Sequence, residues 1–464
     1  MRERAGARES FVHGALVAWF VLARTWQFAA AAPMSFPDSA SYLDKAAAPI
    51  LGSGLFSGDG RLFTVPLLWS PWVGLYGPDP TALTWAQLVL SCVAWLALSS
   101  VVGHWMKTPA GRIVARALVL LLGASDGVAL WDRTLLSESL STSLFVGVIA
   151  TWAWWGHGVA VSGRSSRGAV GVLLLLGVLW GFAREANGLF LAMLALVAAG
   201  LAASATGTIR LRTHATAIVA VFLATMVGAQ LVAERGERWL FPLLNVVGRR
   251  VLPSQDRTAF WVAAGMPLSA PLLEMQGEFA SGRNWAFYEA PELSDFRRWI
   301  HASGRRTYLR DLVLHPVRSV TEPLAHATEF VCPDLGVYRP DGFVAAVRWS
   351  GWAFTCGSRT ATGIAVGALL AGAAALLSGW VLRRRLRFDD LFALQTVAIL
   401  LLAWPVLTWL TWHAIGEMEV GRHVLWATLF LRLGLVLLAA RLVDALAGFA
   451  ARIGAGEAAS GPAR

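Results

Sequence analysis

The chain has 464 residues, of which 56% are hydrophobic and only 15% are charged. Because soluble proteins carry about a quarter charged residues, this composition argues against a soluble protein. The formal net charge is +10, but the basic residues lie in short connections between apolar segments. That arrangement is typical of membrane proteins and argues against a nucleic-acid partner.

Apolar segments recur along the chain, and a helix of about 20 such residues can cross a bilayer. Backbone in the hydrocarbon core must satisfy its own hydrogen bonds, and the segments lack the alternation of barrel strands, so we expect helices. The predicted fold is all-α, a polytopic membrane protein with about ten transmembrane helices. The predicted spans are 11–32, 82–105, 113–130, 138–157, 168–183, 187–204, 214–233, 360–381, 390–411 and 424–442.

Every second connection between these spans is short and basic, including those with Lys107, Arg112, Arg164 and Arg167. Short basic connections stay in the cytoplasm, so we expect both termini there and the chain in the inner (plasma) membrane. The first apolar segment could be a signal peptide, but its length favours a retained helix.

The other connections are expected outside the cytoplasm, and two of them are long. Residues 33–81 form the first outer loop of an N-terminal transmembrane module that covers 1–233. Residues 234–359 hold several tryptophans and are expected to form a mostly helical extracytoplasmic subdomain resting on the membrane. Residues 360–445 carry the last spans, and the small polar residues of 446–464 predict a disordered cytoplasmic tail.

Charged residues cluster at the outer ends of four predicted spans. Asp38 follows the first span, Glu138 opens the fourth, Arg184 separates the fifth from the sixth, and Arg422 with His423 precedes the last. Ionisable groups at membrane depth are costly and suggest function. Each could instead serve structure alone, as a helix cap, a helix-dipole partner, a salt bridge or a headgroup anchor.

The order and common side of these motifs resemble the GT-C superfamily of membrane glycosyltransferases, such as protein mannosyltransferases and aminoarabinose transferases. The resemblance rests on Pro37-Asp38-Ser39 with Tyr42, on Ser137-Glu138, on Arg184 and on Arg422-His423. It implies a GT-C-like fold and transfer of a sugar from a polyprenyl-phosphate donor to an acceptor on the extracytoplasmic face.

The resemblance also implies an inverting displacement, in which a carboxylate takes the proton of the acceptor hydroxyl. Asp38 is the predicted general base, and Glu138 would orient an arginine or the sugar hydroxyls. Arg184, Arg422 and His423 are predicted to bind the donor phosphate. Further site candidates are Tyr42, Asp44, Asp59, Asp132, Arg133 and Glu419.

The predicted partners are the polyprenyl-phosphate-linked sugar, membrane lipids and a glycan, lipid or protein acceptor. No metal-binding motif occurs in the sequence, so nothing requires a metal, although a divalent ion is compatible with the chemistry. Cys332 and Cys356 lie in the same outer segment. An oxidising exterior permits a disulfide between them, and two separate thiols are the alternative.

Two other function classes stay open. A transporter or flippase for a lipid-linked substrate would place polar groups near the bilayer midplane, whereas these charges lie at span ends. A non-catalytic membrane assembly protein would not need Asp38. A ligase for a lipid-linked glycan is a related enzyme hypothesis with a larger donor.

Overall fold

The computed structural model describes residues 2–48, 62–204, 209–348, 358–381, 387–415 and 419–459. Within these ranges the chain forms helices and no β-strand, which confirms the all-α prediction. The N-terminal half contains α1 (Arg2–Ala29), α2 (Pro37–Ala47), α3 (Thr64–Tyr76), α4 (Pro80–His104), α5 (Pro109–Gly123), α6 (Asp126–Ala129), α7 (Ser137–Ser162), α8 (Arg167–Gly181), α9 (Asn187–Ser204) and α10 (Ile209–Arg235).

The second half of the chain starts with many short helices and ends with long ones. It contains α11 (Leu240–Val246), α12 (Gln255–Ala263), α13 (Ala270–Leu273), α14 (Gly282–Glu289), α15 (Ser294–Trp299), α16 (Arg305–Leu314), α17 (Pro316–Ala325), α18 (Ala327–Val331), α19 (Ser358–Val381), α20 (Phe388–Ile415), α21 (Val420–His423) and α22 (Leu425–Ala459). Short 3-10 turns occur at Leu130–Arg133, Pro291–Leu293 and Gly336–Tyr338, and π-helical turns at Val247–Val251 and Ile300–Gly304.

Five of the described helices are long and apolar enough to cross a membrane, which makes this a multi-pass membrane protein. They are Pro80–His104, Ser137–Ser162, Ile209–Arg235, Phe388–Ala414 and Leu425–Ile453. The prediction of about ten spans is not confirmed, because a span needs about 20 apolar residues and five described helices have that length and composition. Helices α5 and α8 have 15 residues each, and the described apolar parts of α9 and α19 are also short.

Aromatic side chains join the helices that later carry the charged residues. Phe145 of α7, Phe190 of α9 and Phe430 of α22 are buried, and the Phe430 ring lies 4.5 Å from the first and 4.2 Å from the second. Trp180 of α8 packs against the same group. Because lipid tails are as apolar as these rings, van der Waals packing rather than exclusion of water fixes the helices here.

Polar contacts tie the helices together at their other end. Glu9 of α1 accepts hydrogen bonds from Arg112 of α5 at 2.7 and 2.8 Å. Asp444 of α22 accepts a bond from the Thr108 backbone at 2.7 Å, and Lys107 pairs with Asp390 at 2.9 Å. These ties fix the register between α1, α5, α20 and α22, and so also set where the opposite helix ends meet.

The region between α10 and α19 has an apolar core of its own. Buried side chains of residues 240–300 form this core, among them Leu244, Trp261, Phe287, Phe296 and Ile300. The domain limits predicted around this region stay a prediction, although a separate core agrees with a subdomain there.

The C-terminal end differs from the expected disordered tail, because α22 continues as a helix through Ala459. Residues 446–459 are rich in alanine, which has the highest helix propensity. They also include the apolar residues Leu446, Phe449 and Ile453. The small and polar residues between these three led to the prediction of disorder.

Candidate functional site

Glu138 lies at the centre of a group of charged side chains that come from four distant parts of the chain. Arg184 and Arg422 both donate hydrogen bonds to its Oε1 atom, the second from Nε at 2.6 Å. Nη1 of Arg422 also donates to Asp38 Oδ2 at 3.1 Å and to Glu419 Oε2 at 3.0 Å. The structure therefore brings together one residue from each of the four clusters that the sequence singled out.

We call Asp38, Glu138, Arg184, Glu419, Arg422 and His423 the charged cluster. It lies beside the start of α7, the end of α8 and the connection from α20 to α22. Glu138 is in the first turn of α7, where the helix dipole favours a negative charge. Three carboxylates, two guanidinium groups and one imidazole thus meet at one end of the apolar helices.

Asp38 lies in the first turn of α2 and is not its N-cap, which is Phe36. Ser39 accepts a hydrogen bond from the Phe36 backbone at 2.8 Å and donates to the carbonyl of Leu135 at 2.6 Å. This second bond anchors the start of α2 to the segment just before α7. The carboxylate of Asp38 is therefore held near Glu138 by its neighbour rather than used to cap the helix.

Arg184 lies in the short connection between α8 and α9. Asn187 fixes this connection, because its Nδ2 atom donates to Ser141 Oγ at 2.9 Å and to the carbonyl of Trp180 at 2.8 Å. Glu185, the residue after Arg184, pairs with Arg238. A salt bridge between Arg184 and Glu185, which would have given Arg184 a purely structural role, is therefore not formed. Arg184 is thus directed to Glu138.

The segment that carries Arg422 is tightly constrained. Glu419 has a left-handed backbone (φ 50), which is unusual for a residue with a side chain. A Cβ atom on Gly421 would overlap the carbonyl oxygen of Asp334, so only glycine allows this close approach. The strain and the tight contact both serve to hold Arg422 at the centre of the charged cluster.

Exposure divides the charged cluster into a sealed part and an open edge. The Glu138 side chain is 0% exposed and that of Arg422 is 7% exposed. Asp38 keeps 39% of its side-chain surface exposed, and Glu419 34%. A ligand would therefore meet Asp38 and Glu419 first, with the Glu138–arginine core behind them.

The electrostatics assign protonation states to the residues outside the spans. Burial disfavours the charge on Arg422, but Glu138 and Glu419 outweigh it and raise the pKa of the guanidinium. Burial, together with Arg184 and Arg422, lowers the pKa of His423 to about 3. His423 is therefore neutral near pH 7, and the 3.2 Å contact between its Nδ1 atom and Arg184 Nη2 makes Nδ1 the acceptor. Its Nε2 atom then carries the proton and can act as a donor.

The remaining candidates within residues 33–81 are Tyr42, Asp44 and Asp59. Tyr42, one turn after Asp38 on α2, is buried with its ring edge-on to Trp69 at 6.0 Å. Asp44 is exposed, and Asp59 lies outside the described residues.

Asp132 and Arg133 contact α1 rather than the charged cluster. Asp132 is buried, pairs with Arg24 and accepts a hydrogen bond from Ser139 at 2.7 Å. The guanidinium of Arg133 lies 3.6 Å from the centre of the Phe28 ring, and its Nε donates to the Phe28 carbonyl at 2.8 Å. Both residues therefore stabilise the packing of α1 against the segment that precedes α7.

Sequence reasoning missed Arg24 and Tyr338. Arg24 is an ionisable residue inside the first predicted span, a signal that by itself suggests a buried partner. Tyr338 is buried near Glu419; burial and Glu419 together raise the pKa of its phenol, which stays protonated. No local pattern identifies Tyr338, because its place depends on how residues 334–338 dock against residues 419–423.

Cys332 is disulfide-bonded. Its predicted partner, Cys356, lies outside the described residues, so the pairing stays a prediction. Cys92 is a free thiol.

No known family model matches this chain, and no curated protein matches its sequence. Among the residues that the structure describes, no group of three or more His, Cys, Asp and Glu side chains is arranged to hold a metal ion.

Proposed function

We propose that the charged cluster is the active site of a membrane glycosyltransferase of the GT-C type. The enzyme would take a sugar from a polyprenyl-phosphate donor and transfer it to a glycan, lipid or protein acceptor outside the cytoplasm. The observation that carries this proposal is the meeting of Asp38, Glu138, Arg184 and Arg422 at one end of the apolar helices.

Stability alone is a weak reason for such an arrangement. Replacing a buried ion pair by packed apolar side chains is often neutral or stabilising, because desolvation of the charges costs as much as their attraction returns. A cluster of charges at the lipid boundary is therefore better explained by chemistry on a charged, membrane-bound substrate.

In the proposed reaction Asp38 acts as the general base. Its carboxylate takes the proton of the acceptor hydroxyl, and the acceptor oxygen forms a bond to the anomeric carbon of the sugar. The bond from that carbon to the phosphate oxygen breaks, and the lipid phosphate leaves with the electron pair. One displacement of this kind inverts the anomeric configuration.

The charges of the site suit this sequence of events. Three carboxylates and two guanidinium groups, with His423 neutral, give the charged cluster a formal charge of −1. The leaving phosphate gains one negative charge, and Asp38 loses one when it takes the proton. The total formal charge of enzyme and substrate is therefore constant, and no further charge has to enter the site during the reaction.

Donor binding would also prepare the base. A phosphate oxygen that binds Nη1 of Arg422 competes with Asp38, which now holds that atom at 3.1 Å. Loss of this ion pair raises the proton affinity of the Asp38 carboxylate. Arg184 and Nε2 of His423 would supply further donors to the phosphate.

The proposal also assigns the orientation of the chain. The charged cluster would face the extracytoplasmic side, with both termini in the cytoplasm, because the basic connections lie at the opposite helix ends. The five long apolar helices would cross the membrane, and the shorter apolar helices would pack against them within the same bundle. Reporter fusions at each connection test this topology.

The test uses the full chain in nanodiscs with synthetic polyprenyl-phosphate sugars, and measures release of the lipid phosphate. We expect Asp38→Asn to abolish transfer while the variant still binds polyprenyl phosphate, and Arg184→Ala to weaken that binding. Asp295→Asn, an exposed subdomain variant, is the matched control. Full activity of Asp38→Asn would refute the mechanism. In sealed proteoliposomes, movement of the lipid-linked sugar across the bilayer with no transfer product would favour the transporter instead.

A further inference from the structure

Helices α16 and α17 present a continuous apolar surface that no described part of the chain covers. Val313 and Val317 are 75% and 74% exposed, and Leu324 is 61% exposed. Leu309, Leu314 and Val320 are exposed on the same two helices. On α17 the positions 317, 320 and 324 fall on one face, because residues three and four apart are neighbours on a helix.

The opposite face of these two helices is fixed to the end of a membrane-spanning helix. The carbonyl of Ser319 accepts a hydrogen bond from Trp409 Nε1 at 3.0 Å and lies 2.9 Å from His413 Nε2. The hydroxyl of Tyr308 on α16 donates to the carbonyl of His413 at 2.7 Å. Trp409 lies one turn inside the apolar segment Phe388–Ala414, so a bilayer crossed by this segment would have the edge of its hydrocarbon core at the level of α17.

The basic residues of α16 suit the headgroup layer above that depth. Arg306 and Arg310 are exposed, one turn apart, and have no ion-pair partner among the described side chains. By contrast, Arg305 and Arg318 are each paired with an acidic residue. Unpaired arginines beside an apolar face are the pattern of a helix that lies in the membrane interface and contacts anionic lipids.

We propose that α16 and α17 together form an interfacial membrane-binding surface, independent of the glycosyltransferase proposal. Val313, Val317, Val320 and Leu324 enter the outer part of the acyl layer, while Arg306 and Arg310 bind lipid phosphates. The bilayer is favoured over a protein partner because the adjacent end of α20 also exposes apolar side chains, at Val406 and Leu410. The lipid that surrounds α20 therefore extends directly onto α17.

Nitroxide labels on single introduced cysteines test this surface in nanodiscs. The labels replace Val317, Val320 or Leu324 in a Cys92→Ala background, and the unmodified background is the blank. Asp295, which is 71% exposed, is the matched control position. We expect collisions with oxygen to exceed those with a water-soluble nickel complex at the three α17 positions, and the reverse order at 295. Nickel accessibility like that of 295 overturns the proposal, and so does protection from both reagents, which would indicate a protein partner.

A second measurement tests the arginines. A label at position 309 should lose mobility when the nanodiscs contain an anionic phospholipid instead of a zwitterionic one. The double variant Arg306→Gln/Arg310→Gln should remove that difference, whereas Arg297→Gln/Arg298→Gln should leave it unchanged. Equal mobility in both lipids for the parent chain contradicts headgroup binding.

Discussion

Glu138 is the residue whose change should affect the site most. Glu138→Gln keeps the size of the side chain and one acceptor oxygen but removes the only carboxylate that contacts Arg184 in the described part of the chain. Breaking a buried ion pair by loss of one partner costs about 3–5 kcal/mol. Arg422 retains Asp38 and Glu419, so we expect a loss of about 3 kcal/mol, the lower end of that range.

A double variant separates this electrostatic effect from a packing defect. Arg184→Met removes the charge that Glu138→Gln leaves uncompensated. Neighbouring residues that share one interaction show coupling energies of about 0.5–3 kcal/mol, so the double variant should be destabilised by less than the sum of the single variants. The exposed pair of Asp295 and Arg298 gives the matched control, and Asp295→Asn should cost less than about 1 kcal/mol.

The assay is unfolding in detergent micelles, followed by tryptophan fluorescence while a denaturing detergent is added. Where unfolding is irreversible, the rate of fluorescence loss at one temperature replaces the midpoint. The reasoning would be refuted if the stability losses of Glu138→Gln and Arg184→Met were additive in the double variant. It would also be refuted if the unfolding midpoint of Glu138→Gln equalled that of Asp295→Asn, since Glu138 would then not compensate the charge of the buried arginines.

Three further predictions concern the surroundings of the charged cluster. Gly421→Ala should displace the neighbouring Arg422 and weaken the binding of polyprenyl phosphate. Gly171→Ala is the control, because no atom lies within 4 Å of the added Cβ, and this variant should bind normally. Equal binding by the two variants would contradict the tight contact at Gly421. Arg24→Met should destabilise the chain by about 3–5 kcal/mol because the buried carboxylate of Asp132 loses its cationic partner and keeps only neutral hydrogen-bond donors such as Ser139. Adding Asp132→Asn should recover part of the loss, and no recovery would mean that packing dominates. The pKa of His423 is lowered in the folded chain. As pH falls from 6.5 towards 3, the His423 ring therefore binds a proton in the unfolded chain but not in the folded chain, and the folded state loses stability over that pH range. His423→Gln should flatten the pH dependence of the unfolding midpoint, and an unchanged slope would argue against the neutral ring.

The sequence predicted the residues of the charged cluster better than it predicted the membrane spans. Asp38, Glu138, Arg184 and Arg422 could be found because each interrupts or borders an apolar segment, where an ionisable group is conspicuous. The rule that basic connections stay in the cytoplasm then assigned all four to one side. Their roles in catalysis stay predictions.

The spans were less predictable because apolar composition does not fix helix length. The span predicted at 113–130 differs from the structure, because α5 ends at Gly123, before the turn that leads to α6. The span predicted at 168–183 matches α8 within two residues, but at 15 residues that helix is shorter than a full span. Tyr338 was not predicted, because its position depends on its interaction with Glu419, about 80 residues later in the chain, and a contact across so long a loop leaves no local sequence pattern. Arg24 was visible in the sequence, but a single charge in a long apolar segment did not reveal that Asp132 pairs with it.

The unequal burial of the charged cluster favours chemistry over assembly as its purpose. A structural lock needs only the buried contacts of Glu138 with the two arginines. Asp38 and Glu419 are more than a third and about a third exposed, and ion pairs at such positions contribute about 0–1 kcal/mol. They therefore add little to stability, yet they direct two carboxylates at the accessible edge of a buried guanidinium. The proposed transferase needs such a solvent-reachable base beside a fixed cation, whereas an assembly function does not require Asp38.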